Sequence, residues 1–419
     1  MSGLDTARRL FTELAKQTTD DPGVTRASYG EGECLAHAMI TTEAERIGLE
    51  HRCDEIGNLY VTLPGKNRSA PCIMFGSHLD SVPHGGNFDG AAGVLAGLAV
   101  LETFQQVSIP PFDITLMAIR AEEMIWFPEH YIGSRAAFGL LPANCADHLK
   151  RSDTGMTLSD HMRSLGFDPE LINRGHATLN SESIQCFIEL HIEQGPVLVE
   201  NDLPVGIVNA IRGNKRYRFC SIQGETTHAG GVPRRSRFDA VMAGADLVSR
   251  LERKWVSMEE AGEDLVLTVG QFSTDSKQHG ITKVPGRIDF TLDFRSADYG
   301  TLMRFDEFLQ EQVKDVCSQR SIDIKLGRAT HAKEALMDQH LVSGLTEAAQ
   351  QCGVPSMEIA SGGGHDCAVF ASQGIPSAML FVRNRNGSHN PDESMDFEDF
   401  EKAFNVLFNW LERYLRLSK

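Results

Sequence analysis

The sequence predicts an α/β protein: a mostly parallel sheet with helices on both faces, interrupted by an inserted ferredoxin-like α+β domain. From residue 72 to about 210, the apolar runs CIMFGSHL, DITLMAIRAEE and CFIELHIEQG alternate with helical patterns such as GVLAGLAVLETF. Strands that alternate with helices in this way favour a parallel sheet covered by helices. From about 212 to 326 the order becomes strand, helix, strand, strand, helix, strand, which is the ferredoxin-like arrangement. After 327 the first alternation resumes, with AMLFV and an amphipathic helix EDFEKAFNVLFNWLERYL.

The chain length supports two domains. At 419 residues the chain is too long for one ordinary hydrophobic core. We expect a first domain built from residues 1–211 and 327–419, and a second domain inserted at 212–326.

Composition excludes several classes of partner. With 41% hydrophobic and 23% charged residues, the chain is typical of a globular protein, and a net charge of −17 disfavours nucleic acid as a partner. No apolar stretch reaches the ~18 residues of a membrane-spanning helix, and the N-terminal amphipathic pattern lacks a signal-peptide core. Nine cysteines at wide spacing, without a C-x-x-C pair, indicate thiols in a reducing compartment. We therefore expect a cytoplasmic protein that binds neither nucleic acid nor membrane.

Polar clusters follow four of the predicted strands. GSHLDSVPHGGNFDG, residues 76–90, places His78 and Asp80 on one strand face and Asp89 just before a helix. Taken singly, His78 would be a hydrogen-bonded core histidine and Asp89 a helix N-cap. AEE ends another buried strand with Glu122 and Glu123, which need a facing cation unless they lie in a surface turn.

The other two clusters are HIEQG, with His191, and GSHNPDE, with His389. Ligand sites of parallel sheets lie at the carboxyl ends of strands, where all four clusters fall. One or two divalent metal ions would neutralise all these charges together. Imidazole and carboxylate without thiolate fit zinc, or manganese, cobalt or nickel, although no H-E-x-x-H spacing is present.

The order of the motifs extends this interpretation over nearly the whole chain. The motifs are GSHLDSVPHGGNFDGAAGVLAGLAVLE, AEE, GSRAAFG, HIEQGPVL, HAGGVPRRSRFDA, VPGRIDFTLDFR, SGGGHDC and GSHNPDE. This set resembles the bridged dinuclear-metal amidohydrolases that include N-carbamoyl-L-amino-acid hydrolase, allantoate amidohydrolase and beta-ureidopropionase, in the aminoacylase and carboxypeptidase-G-like superfamily. His191 in HIEQGP, where carboxypeptidase-like relatives usually carry an acid, resembles the carbamoylase branch.

The resemblance implies a role for each metal-site residue. His78 and His191 would bind one of two divalent metal ions per subunit, Glu123 and His389 would bind the other, and Asp89 would bridge the two. Asp80 would orient His78. Glu122 would be the general base that takes a proton from water and relays it to the departing nitrogen.

The resemblance also implies substrate contacts and a homodimer. His228 of the HAG motif would stabilise the oxyanion across a dimer interface, so the inserted domain would be a lid and dimerisation domain. Arg295 would bind the carboxylate of a small-molecule substrate, and Gln194, Thr282 and Gly363 would contact the same substrate. From the residues alone, His228 could equally be a turn residue, Arg295 a strand-end surface charge and Gln194 a loop hydrogen-bonding group.

The sequence departs from the family pattern at four places. Thr282 in TKVPG replaces the usual asparagine. The segment MIWFP after AEE introduces Trp126 and Phe127, which would either enlarge an apolar substrate pocket or belong to the core. HAGGVPRR replaces HAGTTPM, and Arg383 and Arg385 precede His389. We expect these changes to affect which carboxylic acid the protein accepts as its substrate.

The expected activity is metal-dependent hydrolysis of a linear C–N bond. The favoured substrate is an N-carbamoyl-L-amino acid, which gives amino acid, ammonia and carbon dioxide. The alternatives are allantoate, or an N-acyl or N-arylacyl amino acid. A different class of function, a catalytically silent binding protein that kept the fold, would be indicated by a missing ligand, but every expected ligand position is filled.

Overall fold

The computed structural model describes residues 3–417. Within this range the strands are β1 (Glu50–Cys53), β2 (Leu59–Leu63), β3 (Cys72–His78), β4 (Ile114–Ile119), β5 (Ile184–Ile192), β6 (Val205–Ile211), β7 (Gly213–Gln223), β8 (Thr227–His228), β9 (Val266–Thr268), β10 (Phe272–Thr274), β11 (Lys283–Val284), β12 (Arg287–Ser296), β13 (Asp323–Lys325), β14 (Ala329–Ala332), β15 (Ala335–Leu336), β16 (Ser356–Ser361) and β17 (Ser377–Val382).

The α-helices of the same range are α1 (Gly3–Gln17), α2 (Glu31–Ile47), α3 (Ala91–Gln105), α4 (Ile132–Ala137), α5 (Leu158–Ser164), α6 (Pro169–Asn173), α7 (Val197–Glu200), α8 (Ala240–Glu260), α9 (Tyr299–Arg320), α10 (Gln339–Gln351), α11 (Cys367–Ser372) and α12 (Phe397–Leu417).

The chain forms two compact units. The first contains residues 1–209 and 336–419, and the second contains residues 210–335. The sequence predicted an insert of 212–326. The second unit extends further at its carboxyl end because β14 pairs antiparallel with β7 and so enlarges the sheet of that unit.

The sheet of the first unit has a parallel centre. Its strand order is β1-β2-β4-β3-β5-β17-β6-β15, and β16 pairs with β6. The four neighbours β4, β3, β5 and β17 are parallel to one another, whereas β2 pairs antiparallel with β4 and β6 pairs antiparallel with β17. The predicted α/β fold is confirmed, and its parallel part is these four central strands.

Helices cover both faces of this sheet. Phe75 of β3 lies opposite Ile188 of β5, so Phe187, one residue earlier, points to the other face. The ring of Phe75 packs edge-on against Trp410 of α12, with centroids 6.4 Å apart. Phe187 instead stacks on Phe370 of α11 at 3.6 Å. The near-continuous apolar sequence of these strands follows from burial on both sides.

The second unit has one main sheet with helices packed against it. Its strand order is β10-β12-β7-β13, with β14 beside β7 and β9 beside β12. Along β12, buried residues alternate with more exposed ones, and Ile288, Phe290 and Phe294 enter the core under α8 and α9. The helices and strands follow the predicted order, with three differences: the predicted strand LVLTVGQFS forms two short strands, β9 and β10, the short strands β8 and β11 are added, and β14 follows β13.

Two further sequence expectations can be examined in the structure. No helix within residues 3–417 is long and apolar enough to cross a membrane. All nine cysteines are free thiols; three are buried, and Cys53 is exposed.

Candidate metal centre

The candidate site lies at one edge of the parallel strands. His78 is the last residue of β3, His191 lies at the end of β5, and Glu122 and Glu123 follow β4. Asp89 comes from the loop before α3, and His389 from the loop after β17. Because β4, β3, β5 and β17 run in the same direction, their carboxyl ends bring these groups together.

One group of potential ligands consists of His78, Asp89 and His191. Asp89 Oδ1 lies 3.4 Å from His78 Nε2 and 3.2 Å from His191 Nε2. The two Nε2 atoms are 3.4 Å apart. All three side chains are buried, with exposures of 2%, 5% and 1%. Their arrangement is suited to a small cation.

A second group shares Asp89 with the first. His389 Nε2 lies 3.5 Å from Asp89 Oδ2 and 3.3 Å from Glu123 Oε1. Asp89 therefore directs one carboxylate oxygen to each group. The suggestion that Asp89 is a helix N-cap is wrong, because the residue before α3 is Gly90 and it has no side-chain cap.

The hydrogen bonds of the two buried histidines show why the first group fits a metal ion. His78 Nδ1 lies 3.1 Å from the backbone oxygen of Asp80, and His191 Nδ1 lies 2.9 Å from that of Ile192. These bonds place the proton on Nδ1 and turn both Nε2 atoms towards Asp89 Oδ1, while His191 Nε2 also accepts a 3.1 Å bond from the Gly90 N–H. That oxygen is buried and has no hydrogen-bond donor in the part of the chain that is described. Asp89 Oδ1 and His78 Nε2 therefore face each other as acceptors with no donor between them, which favours a cation at this point.

The electrostatics of the cluster also favour positive charge. Burial alone would lower the pKa of His78 and His191, but Glu122 and Asp89, respectively, raise both pKa values above the usual range. The hydrogen bond to Glu123 raises the pKa of His389 to about 9. Burial opposes ionisation of Asp89, yet the two buried histidines hold its pKa well below the usual range.

Asp80 connects the first group to the AEE turn. Its Oδ1 lies 3.3 Å from His78 Nδ1 and accepts a 3.1 Å bond from the Glu122 N–H. Its Oδ2 accepts a 2.6 Å bond from the Ser28 hydroxyl and a 3.1 Å bond from the Glu123 N–H. One buried carboxylate therefore orients an imidazole and also fixes the backbone of both glutamates.

Glu122 lies beside the first group without joining it. Its Oε2 is 4.0 Å from His78 Nε2. Burial raises the pKa of Glu122 well above the usual value, and the nearby carboxylate of Glu123 raises it further. A carboxyl group with a raised pKa next to a cation site is suited to proton transfer.

A third group of potential ligands, Glu189, His191 and His365, already has hydrogen-bond partners. Glu189 accepts bonds from the Ser77 hydroxyl at 2.9 Å and the Cys367 N–H at 2.8 Å. His365 Nε2 lies 3.0 Å from the Ser361 hydroxyl. We therefore assign a structural role to Glu189 and His365.

Two supporting residues were not identified from the sequence. Glu33 of α2 accepts the Ala121 N–H at 2.8 Å and pairs with Arg120 at the same distance, which holds Ala121 at a φ of 52°. Glu393 accepts the backbone N–H groups of Phe88 and Asp89, at 2.9 and 3.2 Å. Glu393 is part of the GSHNPDE motif, whereas nothing in the local pattern around Glu33 indicated its role.

Two predicted substrate contacts of the first unit lie beside Asp89. Gln194 Nε2 donates a 2.8 Å hydrogen bond to Asp89 Oδ2. Gly363 lies against the same amide, because a Cβ at this position would be 2.7 Å from Gln194 Oε1. Gln194 thus supports the shared carboxylate.

The aromatic insert after AEE belongs to the core. Trp126 and Phe127 are 4% and 1% exposed and pack in a cluster with Tyr29 and Ile56. The Trp126 indole donates a 2.7 Å hydrogen bond to the backbone oxygen of Ser81. The structure therefore agrees with the core alternative for these two residues.

The two arginines before His389 have carboxylate partners outside the ligand groups. Arg383 pairs with Asp202 and Asp399, each at 2.7 Å, and Arg385 pairs with Asp396 at 3.3 Å. The hypothesis that they select the substrate acid gains no support from these contacts.

The remaining predicted residues lie in the second unit. His228 is exposed, and its Nδ1 accepts hydrogen bonds from the N–H groups of Gly230 and Gly231, at 3.2 and 2.9 Å. The Thr282 carbonyl accepts the Ala229 N–H at 2.8 Å. Arg295 of β12 pairs with Asp293 at 3.0 Å, so its guanidinium already has a carboxylate partner.

Comparison with known proteins identifies the family. The sequence pattern of peptidase family M20/M25/M40 matches residues 74–413. The chain belongs to this family. The resemblance predicted from the motifs is confirmed.

Relatives within the M20 family extend over almost the full length. The chain is 33% identical to an allantoate amidohydrolase of Escherichia coli (strain K12), covering 92% of this chain and 91% of the relative. It is also 33% identical to an N-carbamoyl-L-amino acid amidohydrolase of Geobacillus stearothermophilus, covering 95% and 94%. A hydantoinase/carbamoylase family amidase from Burkholderia multivorans has a similar structure, with a TM-score of 0.87, 28% identity and 97% coverage of both chains.

Proposed function

We propose that this protein is a metal-dependent hydrolase of linear C–N bonds, and that its substrate is an N-carbamoyl-L-amino acid. Water adds to the ureido carbon and the bond to the departing nitrogen breaks, which leaves a carbamate on the other nitrogen. The carbamate then loses carbon dioxide, so the products are amino acid, ammonia and carbon dioxide. The position of Asp89 carries this proposal, because its two oxygens face two separate groups of potential metal ligands. Relatives with carbamoylase and allantoate amidohydrolase names support the reaction class.

The proposed metal site has two divalent ions per chain. His78 and His191 would hold one, Glu123 and His389 the other, and Asp89 both. When bound, divalent ions lower the pKa of a water molecule, and their positive charge polarises the carbonyl oxygen of the substrate. Zinc suits these nitrogen and oxygen ligands, as do manganese, cobalt and nickel.

Glu122 is the proposed proton carrier. Its carboxylate accepts a proton from the attacking water and delivers it to the departing nitrogen. The hydrogen bond from the Glu122 N–H to Asp80 holds the backbone at this point, and Glu122 Oε2 lies 4.0 Å from His78 Nε2.

His228 is the proposed donor to the oxyanion. Because Nδ1 accepts two backbone N–H groups, the proton of the neutral ring lies on Nε2, which points an N–H outward. We propose that His228 acts across a homodimer formed through the second unit. Such an interface would have apolar side chains to bury, since Phe219 and Ile281 of that unit are 82% and 101% exposed.

Mixing two inactive variants tests whether His228 acts across the dimer interface. Glu122→Gln and His228→Ala homodimers should both be nearly inactive. After mixing and subunit exchange, activity should return to about a quarter of wild type, because about half of the dimers are mixed and have one complete site. If sequential purification through a different affinity tag on each variant shows mixed dimers but activity does not return, His228 does not act across the interface.

The substrate is tested by the products released. We expect ammonia from N-carbamoyl-L-amino acids, with kcat/KM higher than for allantoate or for N-acyl and N-arylacyl amino acids. Allantoate is the second candidate, since one of the relatives is named for it. Inactivity towards every ureido compound, with carboxylic acid released from N-acyl substrates, would refute the proposal.

We also propose a cytoplasmic location. All nine cysteines are free, which supports a reducing compartment. Cell fractionation should place the protein with cytoplasmic markers.

A further inference from the structure

The second unit contains a cavity with an unusual balance of charge. Its volume is about 920 Å³, and its wall includes Arg234, Arg235, Arg237 and Arg320. Among the described residues of that wall, Asp239 is the one acidic residue, and it caps α8 by accepting the Met242 N–H at 3.1 Å. Four guanidinium groups around one engaged carboxylate give the cavity a positive potential, although the chain as a whole is acidic.

Within residues 3–417, only one of the four arginines pairs with a carboxylate, and two have no partner of either kind. Arg320 pairs with Asp246 at 2.9 Å, and Arg237 donates to the backbone oxygens of Val232 and Ala229, which fixes the loop. Arg234 and Arg235 are exposed, and no carboxylate of residues 3–417 lies within 4.0 Å of either guanidinium.

The same loop carries His228. Gly230 and Gly231, whose N–H groups bind His228 Nδ1, are also part of the cavity wall. A ligand of the cavity would therefore contact the turn that fixes the proposed oxyanion donor. VPRR is also the part of the HAG motif where this sequence departs from the usual family pattern.

The chemistry of the wall indicates the ligand. Guanidinium groups bind carboxylate and phosphate oxygens in pairs. A chain of net charge −17 repels large polyanions, and a concave site favours a small molecule. We infer that the cavity binds a compact oxyanion, a carboxylate or phosphate, through Arg234 and Arg235. The oxyanion belongs to a free small molecule or to the far end of an acidic substrate, and only this second source rests on the proposed function.

Direct binding tests the site itself. Calorimetry at low salt would measure the affinity of the intact protein for inorganic phosphate and for succinate, with Arg234→Gln/Arg235→Gln as the variant. Arg253→Gln/Arg328→Gln is the matched control, because it removes the same charge from exposed arginines of the second unit outside the cavity wall. We expect at least one probe to bind, and the cavity variant to bind it about 100-fold more weakly, roughly tenfold for each arginine. The control should bind as wild type does.

Turnover distinguishes the source of the oxyanion. N-carbamoyl-L-aspartate and N-carbamoyl-L-asparagine differ in one charge at the far end. If the oxyanion is part of the substrate, the ratio of their kcat/KM values falls at least tenfold in the cavity variant alone; if it is a free molecule, the ratio stays constant while probe binding is lost.

The inference is overturned if neither probe binds and the ratio is the same in both variants, or if the control weakens binding equally. Binding of phosphate or succinate that depends on Arg234 and Arg235, in a protein that hydrolyses no ureido compound, would support the cavity and refute the proposed function.

Discussion

Replacing Asp80 by asparagine tests whether one buried carboxylate organises the site. Both of its oxygens face donors: Oδ1 faces Glu122 N and His78 Nδ1, and Oδ2 faces Glu123 N and the Ser28 hydroxyl. Whichever way the amide is placed, its NH₂ group therefore meets an N–H donor. The substitution removes the charge and at least one backbone hydrogen bond without changing the size of the side chain.

The expected effect of Asp80→Asn is a weaker metal site. Loss of a carboxylate that orients a ligand histidine typically costs 10- to 100-fold in metal affinity, or about 1.4 to 2.7 kcal/mol. Each buried donor left unpaired costs about 1–3 kcal/mol of unfolding free energy. Competition with a fluorescent chelator would give the zinc affinity, and urea unfolding with and without chelator would give the stability.

The control for this experiment is Asp246→Asn in the second unit. Asp246 is partly buried and pairs with Arg250 and Arg320. It should lose stability without losing zinc affinity. If Asp80→Asn bound zinc as tightly as wild type and kept its kcat, our interpretation of Asp80 would be wrong.

Three other substitutions test the proton carrier, the contact to the substrate carboxylate, and the buried ion pair of Glu33 with Arg120. Glu122→Gln should keep its metal content and lose about 10²- to 10⁴-fold in kcat; near-normal turnover would disprove the assigned base. Arg295→Lys should raise KM about tenfold or more with a smaller change in kcat, since a lysine cannot bind a carboxylate with two parallel bonds; an unchanged KM would exclude a carboxylate contact. Glu33→Gln should lower the unfolding free energy by about 3–5 kcal/mol, because it leaves the buried Arg120 charge unpaired; a melting temperature within a degree of wild type would contradict this.

The central strands were predictable because their apolar runs are long and end in polar clusters. CIMF and DITLMAI correspond to β3 and β4, and the groups that follow them meet as expected. The antiparallel neighbours β2 and β6 were not predicted, because the direction in which a strand pairs depends on chain connections that local periodicity does not encode. β1 is exposed at every residue, so it lacks the alternation of a half-buried strand.

The supporting residues of the site were less predictable than the potential ligands. Glu33 and Arg120 are 87 residues apart and meet only after folding, so their pairing leaves no trace in local spacing. The two roles suggested for Trp126 and Phe127 also differ only in tertiary burial. Each aromatic residue is compatible with either role until its neighbours are known.

Metal content tests the central claim most directly. Elemental analysis of the purified protein, after dialysis against zinc or manganese, should give two divalent ions per chain, and His78→Ala and His389→Ala should each reduce this number. Removal of the ions should abolish ammonia release from N-carbamoyl-L-amino acids, and readdition should restore it. A wild-type protein that binds no divalent metal, or that keeps its activity without one, would contradict the central claim. That claim is that five side chains form a catalytic metal centre: His78, Asp89, Glu123, His191 and His389.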